Sequence, residues 1–262
     1  MREQRRPLSW RLGVGVVAIG AVVALSGCRP TPPPPAPPEP SDVDLSQFSE
    51  SDPTSNGLWL LDGDRAADQI NRAVAEAGSA SIEGTFTELV VVDPEQPPVN
   101  GRTVTIAYDG TPERMTAKIS AGNIAIDVVV LDGRTYVQGN DVYAQRTGIP
   151  EFAEGYVCTN AGEALLSEWS PMLNPRELIE TLLAGSDSLS VMPPAEEGET
   201  LDVIVGSGDA PVGKLVVEGV GAPLPSAFTA GDSSGNSSFT FTAWGESPEV
   251  SIPENIARSC DS

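Results

Sequence analysis

The stretch Ile124-Ala125-Ile126-Asp127-Val128-Val129-Val130-Leu131, with Asp132-Gly133 directly behind it, decides the fold. It is apolar on both faces except at Asp127, which predicts a strand central in a sheet with one face against helices. Asp132-Gly133 signals a tight hairpin turn into a strand over Thr135 to Gln138. Gly139-Asn140 turns the chain again, into a further strand over Val142 to Arg146. Upstream the period is also two. Val104, Ile106 and Tyr108 alternate with Thr103, Thr105 and Ala107, and Met115, Ala117 and Ile119 alternate with Thr116, Lys118 and Ser120. These are half-buried antiparallel strands.

Helical spacing flanks this block. Ala67, Ile70, Val74 and Ala77 recur on one face while Asp68, Asn71, Arg72 and Glu76 face away, with Asp64 as the cap and Gly78 as the stop. Beyond the block, a short helix is expected over Ala161 to Trp169. Asn174-Pro175-Arg176-Glu177 then joins an N-cap, a proline at the first helical position and an acid three residues after the cap. Leu178, Ile179, Leu182 and Leu183 form the buried stripe of that helix, and Gly185 closes it. The strand period resumes in Leu189 to Met192, Leu201 to Val205, Lys214 to Val220, Ala222 to Ala230 and Ser238 to Trp244, separated by Gly, Pro, Asp or Ser clusters. A helix, about five strands, one or two helices and about five more strands predict an α+β domain. Its helices pack on one face of a single antiparallel sheet.

The start of the chain sets an address. Arg2, Arg5, Arg6 and Arg11 precede an apolar run of about 14 residues, Leu12 to Leu25, which suits a secretory leader and is short for a bilayer span of roughly 20. Leu25-Ser26-Gly27-Cys28 closes the run as a lipobox does, which implies cleavage before Cys28 and a diacylglyceryl group on its thiol. Residues 1–27 are therefore read as a signal peptide, 28–57 as a lipidated cysteine with a proline-rich tether, and 58–262 as the folded domain. In the tether, Thr31-Pro32-Pro33-Pro34-Pro35-Ala36-Pro37-Pro38-Glu39-Pro40 favours polyproline II, a semi-rigid spacer reaching roughly 80 Å at most. The expected location is the extracytoplasmic face of the cell membrane, held by the lipid at Cys28.

Composition narrows the chemistry. Against 37 Asp+Glu stand 15 Lys+Arg, a formal charge of −22. Such a field repels nucleic acid, whose binding needs clustered Lys and Arg. The chain has no histidine, which removes Ser-His-Asp, Cys-His and His-based zinc chemistry. No nucleophile constellation, phosphate loop or cofactor motif takes its place, so a non-enzymatic protein without a cofactor is expected. Of the three cysteines, lipidation consumes Cys28. In an exported protein Cys158 and Cys260 then read as one disulfide, the alternative being two free thiols.

Several short motifs, in this order, resemble the LppX/LprG-type envelope lipoproteins of actinomycetes, whose fold is related to the lipoprotein carrier LolA. They are the lipobox and tether, Ser79-Ala80-Ser81-Ile82-Glu83-Gly84 after a helix, and Asp132-Gly133-Arg134-Thr135-Tyr136-Val137 followed by Asp141-Val142-Tyr143. The close is Phe239-Thr240-Phe241 running into Val250-Ser251-Ile252-Pro253. The resemblance implies a strongly curved antiparallel half-barrel with helices in its concave face and, in several members, an apolar cavity holding acylated lipid. Cys158, Cys260 and the long tether depart from the better-known members.

Trp169, Met172, Leu178, Ile179, Leu182 and Leu183, facing Val128, Val130, Leu215 and Val217, are the candidate lining of such a cavity. The same residues equally suit a filled core, and periodicity does not separate the two. Asp62, Asp64 and Asp68 lack the spacing of a calcium loop and fit helix capping, so no metal site is expected. Glu196, Glu197 and Glu199 suit a solvated turn better than a carboxylate pair for hydrolysis. Asp127 is the polar exception in an apolar strand, at a cavity mouth or on an outward face. Two functions follow: a binder of acylated lipid or lipoglycan that shields, moves or presents it, or a scaffold with a filled core that displays a face to an envelope protein partner.

Overall fold

The computed structural model describes residues 55–260 apart from 91, 93–98, 160–165, 185–187, 195–199, 208–209 and 233–234. The leader, Cys28 and the tether lie outside the described residues. So do the first half of the helix expected over Ala161 to Trp169, Gly185, and the turn with Glu196, Glu197 and Glu199.

The first helix, α1, spans Gly63–Ala77 and buries Ala66, Ile70, Ala73 and Val74. Its cap is Asp62 rather than Asp64: Asp62 Oδ1 accepts from the Arg65 N–H at 3.0 Å, and Asp64 sits in the first turn, near the positive end of the helix. Gly78, at φ 74°, ends the helix as its pattern predicts. Gly63 lets α1 begin against the edge of the sheet, because a Cβ there would lie 2.4 Å from the Leu189 carbonyl oxygen.

Twelve strands follow: β1 Ala80–Val90, β2 Val99–Thr111, β3 Arg114–Ala121, β4 Ile124–Leu131, β5 Arg134–Gly139, β6 Tyr156–Thr159, β7 Ser188–Val191, β8 Leu201–Ser207, β9 Ala210–Val217, β10 Pro225–Asp232, β11 Gly235–Thr242 and β12 Ile256–Arg258. They form one open sheet in the order β12-β6-β5-β4-β3-β2-β1-β11-β10-β9-β8-β7. β12 pairs with β6 in parallel, and the remaining neighbours pair antiparallel. The register puts the period-two residues on one face: Ile82 lies between Tyr108 and Phe241, and Val128 between Ala117 and Val137. At Asp132 and Gly133 the chain takes φ 54° and 72°, the geometry of the tight hairpin turn expected there.

One expected strand is a helix. Val142 to Arg146 lies within α2, Asp141–Thr147, because Asn140 acts as a cap rather than as half of a turn. Its Oδ1 accepts from the Tyr143 N–H at 3.1 Å, and Tyr143 and Ala144 are the buried side chains of the helix. A short α3, Glu151–Glu154, follows. In the central segment Ser167–Leu173 is a 3-10 helix with Pro171 inside it. The helix predicted from Asn174-Pro175 forms as α4, Pro175–Ala184.

Flat, twelve strands at about 4.8 Å spacing would extend over roughly 50 Å, whereas α1 is about 22 Å long. Yet one apolar body takes buried side chains from α1, α2, α3, α4 and from strands across the sheet, from Val157 on β6 to Val203 on β8. The sheet therefore bends around its helices, as a half-barrel with the helices in its concavity. β4 is covered on its inner face along its length and on its outer face only over its C-terminal half. Ile124, Ile126 and Val128 join the main body, while Val129 and Leu131 form a second, smaller cluster with Tyr136, Cys158 and Val250. The C-terminal segment covers that outer cluster. Cys158 and Cys260 are bonded, with Cα atoms 4.8 Å apart. Arg114 Nη2 donates to the Val250 carbonyl at 3.1 Å. Among the described residues no helix is long and apolar enough to cross a membrane.

Candidate functional site

The ten candidate lining residues come together. Val128, Trp169, Leu178, Ile179, Leu183, Leu215 and Val217 are buried in the main apolar body, and Val130, Met172 and Leu182 are half-buried against it. α4 carries four of them because its start is well fixed. Asn174 Oδ1 accepts from the N–H groups of Arg176 at 3.1 Å and Glu177 at 3.4 Å, while Asn174 Nδ2 donates to Glu177 Oε1 at 3.0 Å. From that start, the 3.6-residue period turns Leu178, Ile179 and Leu183 inward.

Open clefts border this helix on both flanks. One, of about 510 Å³, lies between α1, α4 and β7 and is lined by residues that include Asp64, Ala67, Asp68, Asn71, Leu183 and Leu189. The other, of about 260 Å³, is lined by Pro171, Glu177, Glu180, Thr181 and Ala184. Glu180 and Ala184 border both, so α4 is a ridge between them. Arg176 Nε donates to Glu180 Oε1 at 2.7 Å across one turn of the same helix.

The apolar body contains polar points that the described protein groups do not satisfy. Tyr108 Oη and Trp169 Nε1 are buried without a hydrogen-bond partner, and so is Asn71 Oδ1 at the α1 cleft. Each such atom costs about 1–3 kcal/mol relative to a satisfied one. Burial, and then the carboxylates of Glu113 and Asp109, push the Tyr108 phenol well above its ordinary value. Apolar walls with a few polar atoms are the usual make-up of a site for a largely hydrocarbon ligand.

The outer face of the sheet is different in kind. Asp127 is half-buried there, directly opposite Lys118 in the register, in an open groove of about 420 Å³ that Ser81, Glu83, Asp109 and Tyr156 also line. Of the two places expected for Asp127 from its pattern, it takes the outward one. Burial, and then the Asp127 carboxylate, raise the Tyr156 phenol. Among the described residues no three acidic or cysteine side chains converge as a metal set. Sequence patterning found the helix stripe but missed both clefts and the buried polar atoms. Those features arise where elements far apart in the chain meet.

No family model matches the chain, and no curated protein matches it. Among solved structures, it is similar to the crystal structure of LprF from Mycobacterium bovis, with 13% identity and a TM-score of 0.43, over 73% of this chain and 96% of that chain.

Proposed function

We propose that this chain is an exported, lipid-anchored envelope protein that holds the acyl chains of a lipid or lipoglycan in the apolar body beneath α4. Residues 1–27 would be the leader, 28–57 the lipidated cysteine and tether, and 58–262 the lipid-holding domain, on the extracytoplasmic face of the membrane. The observation that carries the reading is the setting of α4. The helix bearing Leu178, Ile179, Leu182 and Leu183 covers the concave face, yet has open clefts along both flanks. The helix is held by α1 on one side and by the Ser167–Leu173 segment on the other, and the surface beneath it is apolar. Lipid chains suit that surface because their transfer from water is favourable by about 0.8 kcal/mol per buried methylene. The absence of histidine and of a nucleophile constellation supports a binding role rather than a catalytic one.

One observation favours a second reading, a scaffold or interaction module with a filled core: Trp169, Ile179, Leu215 and Val217 are at most 2% exposed and lie in one packed cluster. Native mass spectrometry of the full chain, purified from membranes, separates the two. Lipid carriage gives a bound acylated species that is lost in Val130→Trp or Leu182→Trp. An empty chain that takes up no lipid from vesicles leaves the scaffold.

A further inference from the structure

We infer that the end of the domain where the tether joins it is a membrane-contact surface, on which the domain stands against an electrically neutral lipid interface. The inference rests on the anchoring at Cys28 proposed above. The strand register gathers several strand ends there. Val217 lies opposite both Leu201 and Pro225, the Met192 N–H donates to the Asp202 carbonyl at 2.8 Å, and Trp244 comes two residues after Thr242, which pairs with Ser81 at the start of β1. The chain enters at this same end. The Asn56 N–H donates to the Gly219 carbonyl at 2.8 Å, and Asn56 Nδ2 donates to the Glu218 carbonyl at 2.8 Å.

Around that entry the surface is apolar and aromatic. Val220, the residue after Gly219, is 37% exposed, and Met192 is 50% exposed. Trp59 and Leu61, on and just after the 3-10 turn Leu58–Leu60, are half-buried, as are Leu224 and Trp244. The Trp244 ring is held in place, since its Nε1 donates to the Pro225 carbonyl at 2.6 Å and its face stacks on Phe241 at 6.1 Å. Of the four tryptophans, Trp10 precedes Cys28 and Trp169 is buried, so the two half-buried ones both sit at this end. A tryptophan ring that is partly in water and partly in apolar surroundings suits the boundary between lipid heads and acyl chains. Such a contact is weak by itself, but the tether keeps the domain within roughly 80 Å of the bilayer, where a weak contact suffices. Glu218 and Glu246 are exposed at the same end, and Glu196, Glu197 and Glu199 follow Met192 in sequence. Anionic heads would repel these carboxylates, so the fitting interface is zwitterionic or neutral. The exposed valines Val90, Val92 and Val99 lie beside the β1–β2 turn, at the opposite end of the sheet, with no tryptophan among them.

The test places the full lipid-anchored chain in phosphatidylcholine vesicles, with and without phosphatidylcholine that carries a doxyl spin label just below the headgroup, and reads tryptophan emission. Emission should fall in the labelled vesicles, and Trp59→Phe with Trp244→Phe should remove most of that loss. What remains in this variant reports Trp169, and so separates lipid taken into the apolar body from lipid beneath the domain. Met192→Ser with Val220→Ser, at two exposed positions, keeps every tryptophan and should also reduce the loss. No loss in the unaltered chain, as when the domain stands on its Val90 and Val99 end, overturns the inference while leaving the anchor intact. So does a loss that survives in full in both variants. A chain that fails to float with the vesicles overturns the anchoring and the inference with it. The first comparison uses the unaltered chain, so the outcome does not hinge on how any variant folds.

Discussion

Removing the Cys158–Cys260 bond should loosen the outer face of the sheet before it unfolds the domain. The bridge closes a sequence separation of 102 residues. The chain-entropy relation gives about 16 cal/mol/K for a loop of that length, or about 4.7 kcal/mol at 25 °C, as an upper figure, and native disulfides typically contribute about 2–5 kcal/mol. Other restraints on the C-terminal segment are few: the burial of Val250 on Val129, Leu131 and Tyr136, the Arg114 bond to the Val250 carbonyl, the Asn255 Nδ2 bond to the Glu154 carbonyl at 3.1 Å, and the short parallel pairing of β12 with β6. With Cys158→Ser and Cys260→Ser together, urea unfolding should show a loss of about 2–5 kcal/mol. In native-state hydrogen exchange, the amides of β12 and β6 should lose protection first, while β2 and β3 keep theirs. A loss below about 1 kcal/mol, or unchanged protection in β12, would refute the view that the bridge rather than the tail's own contacts holds the outer cluster covered.

Other perturbations probe single elements. Asn174→Ala removes both directions of the α4 cap and should cost about 1 kcal/mol in chemical denaturation, with Asn174→Asp recovering most of it. Gly63→Ala sets a methyl against the Leu189 backbone and should cost about 1–3 kcal/mol, read as a lowered Tm. Tyr108 should ionise late in a spectrophotometric titration. Its folded pKa lies above the ordinary value of 10 through burial and then Glu113 and Asp109, so the stability it contributes is complete below pH 10 and is lost as pH rises beyond that. Tyr108→Phe should remove this alkaline loss. Intact mass of the membrane fraction should show Cys28 as a diacylglyceryl-modified N-terminus. Retention of residues 1–27 would contradict the lipobox reading.

What the sequence alone determined here is what short-range physics controls. The alternation at Val104, Ile106 and Tyr108, the Asp132-Gly133 turn and the Asn174-Pro175 helix start each depend on neighbours within a few residues, and each appears where its pattern placed it. Where two local readings were nearly balanced, packing decided. Asn140 can sit in a turn or cap a helix. It caps α2 because Tyr143 and Ala144 are thereby buried, with the Tyr143 ring 5.2 Å from Phe152. Only the tertiary structure could join β1 to β11, Ile82 opposite Phe241 across the length of the domain, or lay three residues of the C-terminus beside β6 in parallel. The doubly apolar face of β4 was legible, but the tail that covers its outer side was not, since one Val250 carries no periodic signal. The clefts beside α4 and the unsatisfied atoms of Tyr108, Trp169 and Asn71 belong wholly to this second class. A cavity or an orphan polar atom is a property of the surfaces that meet around it, and those surfaces come from segments whose separation in sequence leaves no mark in either one alone.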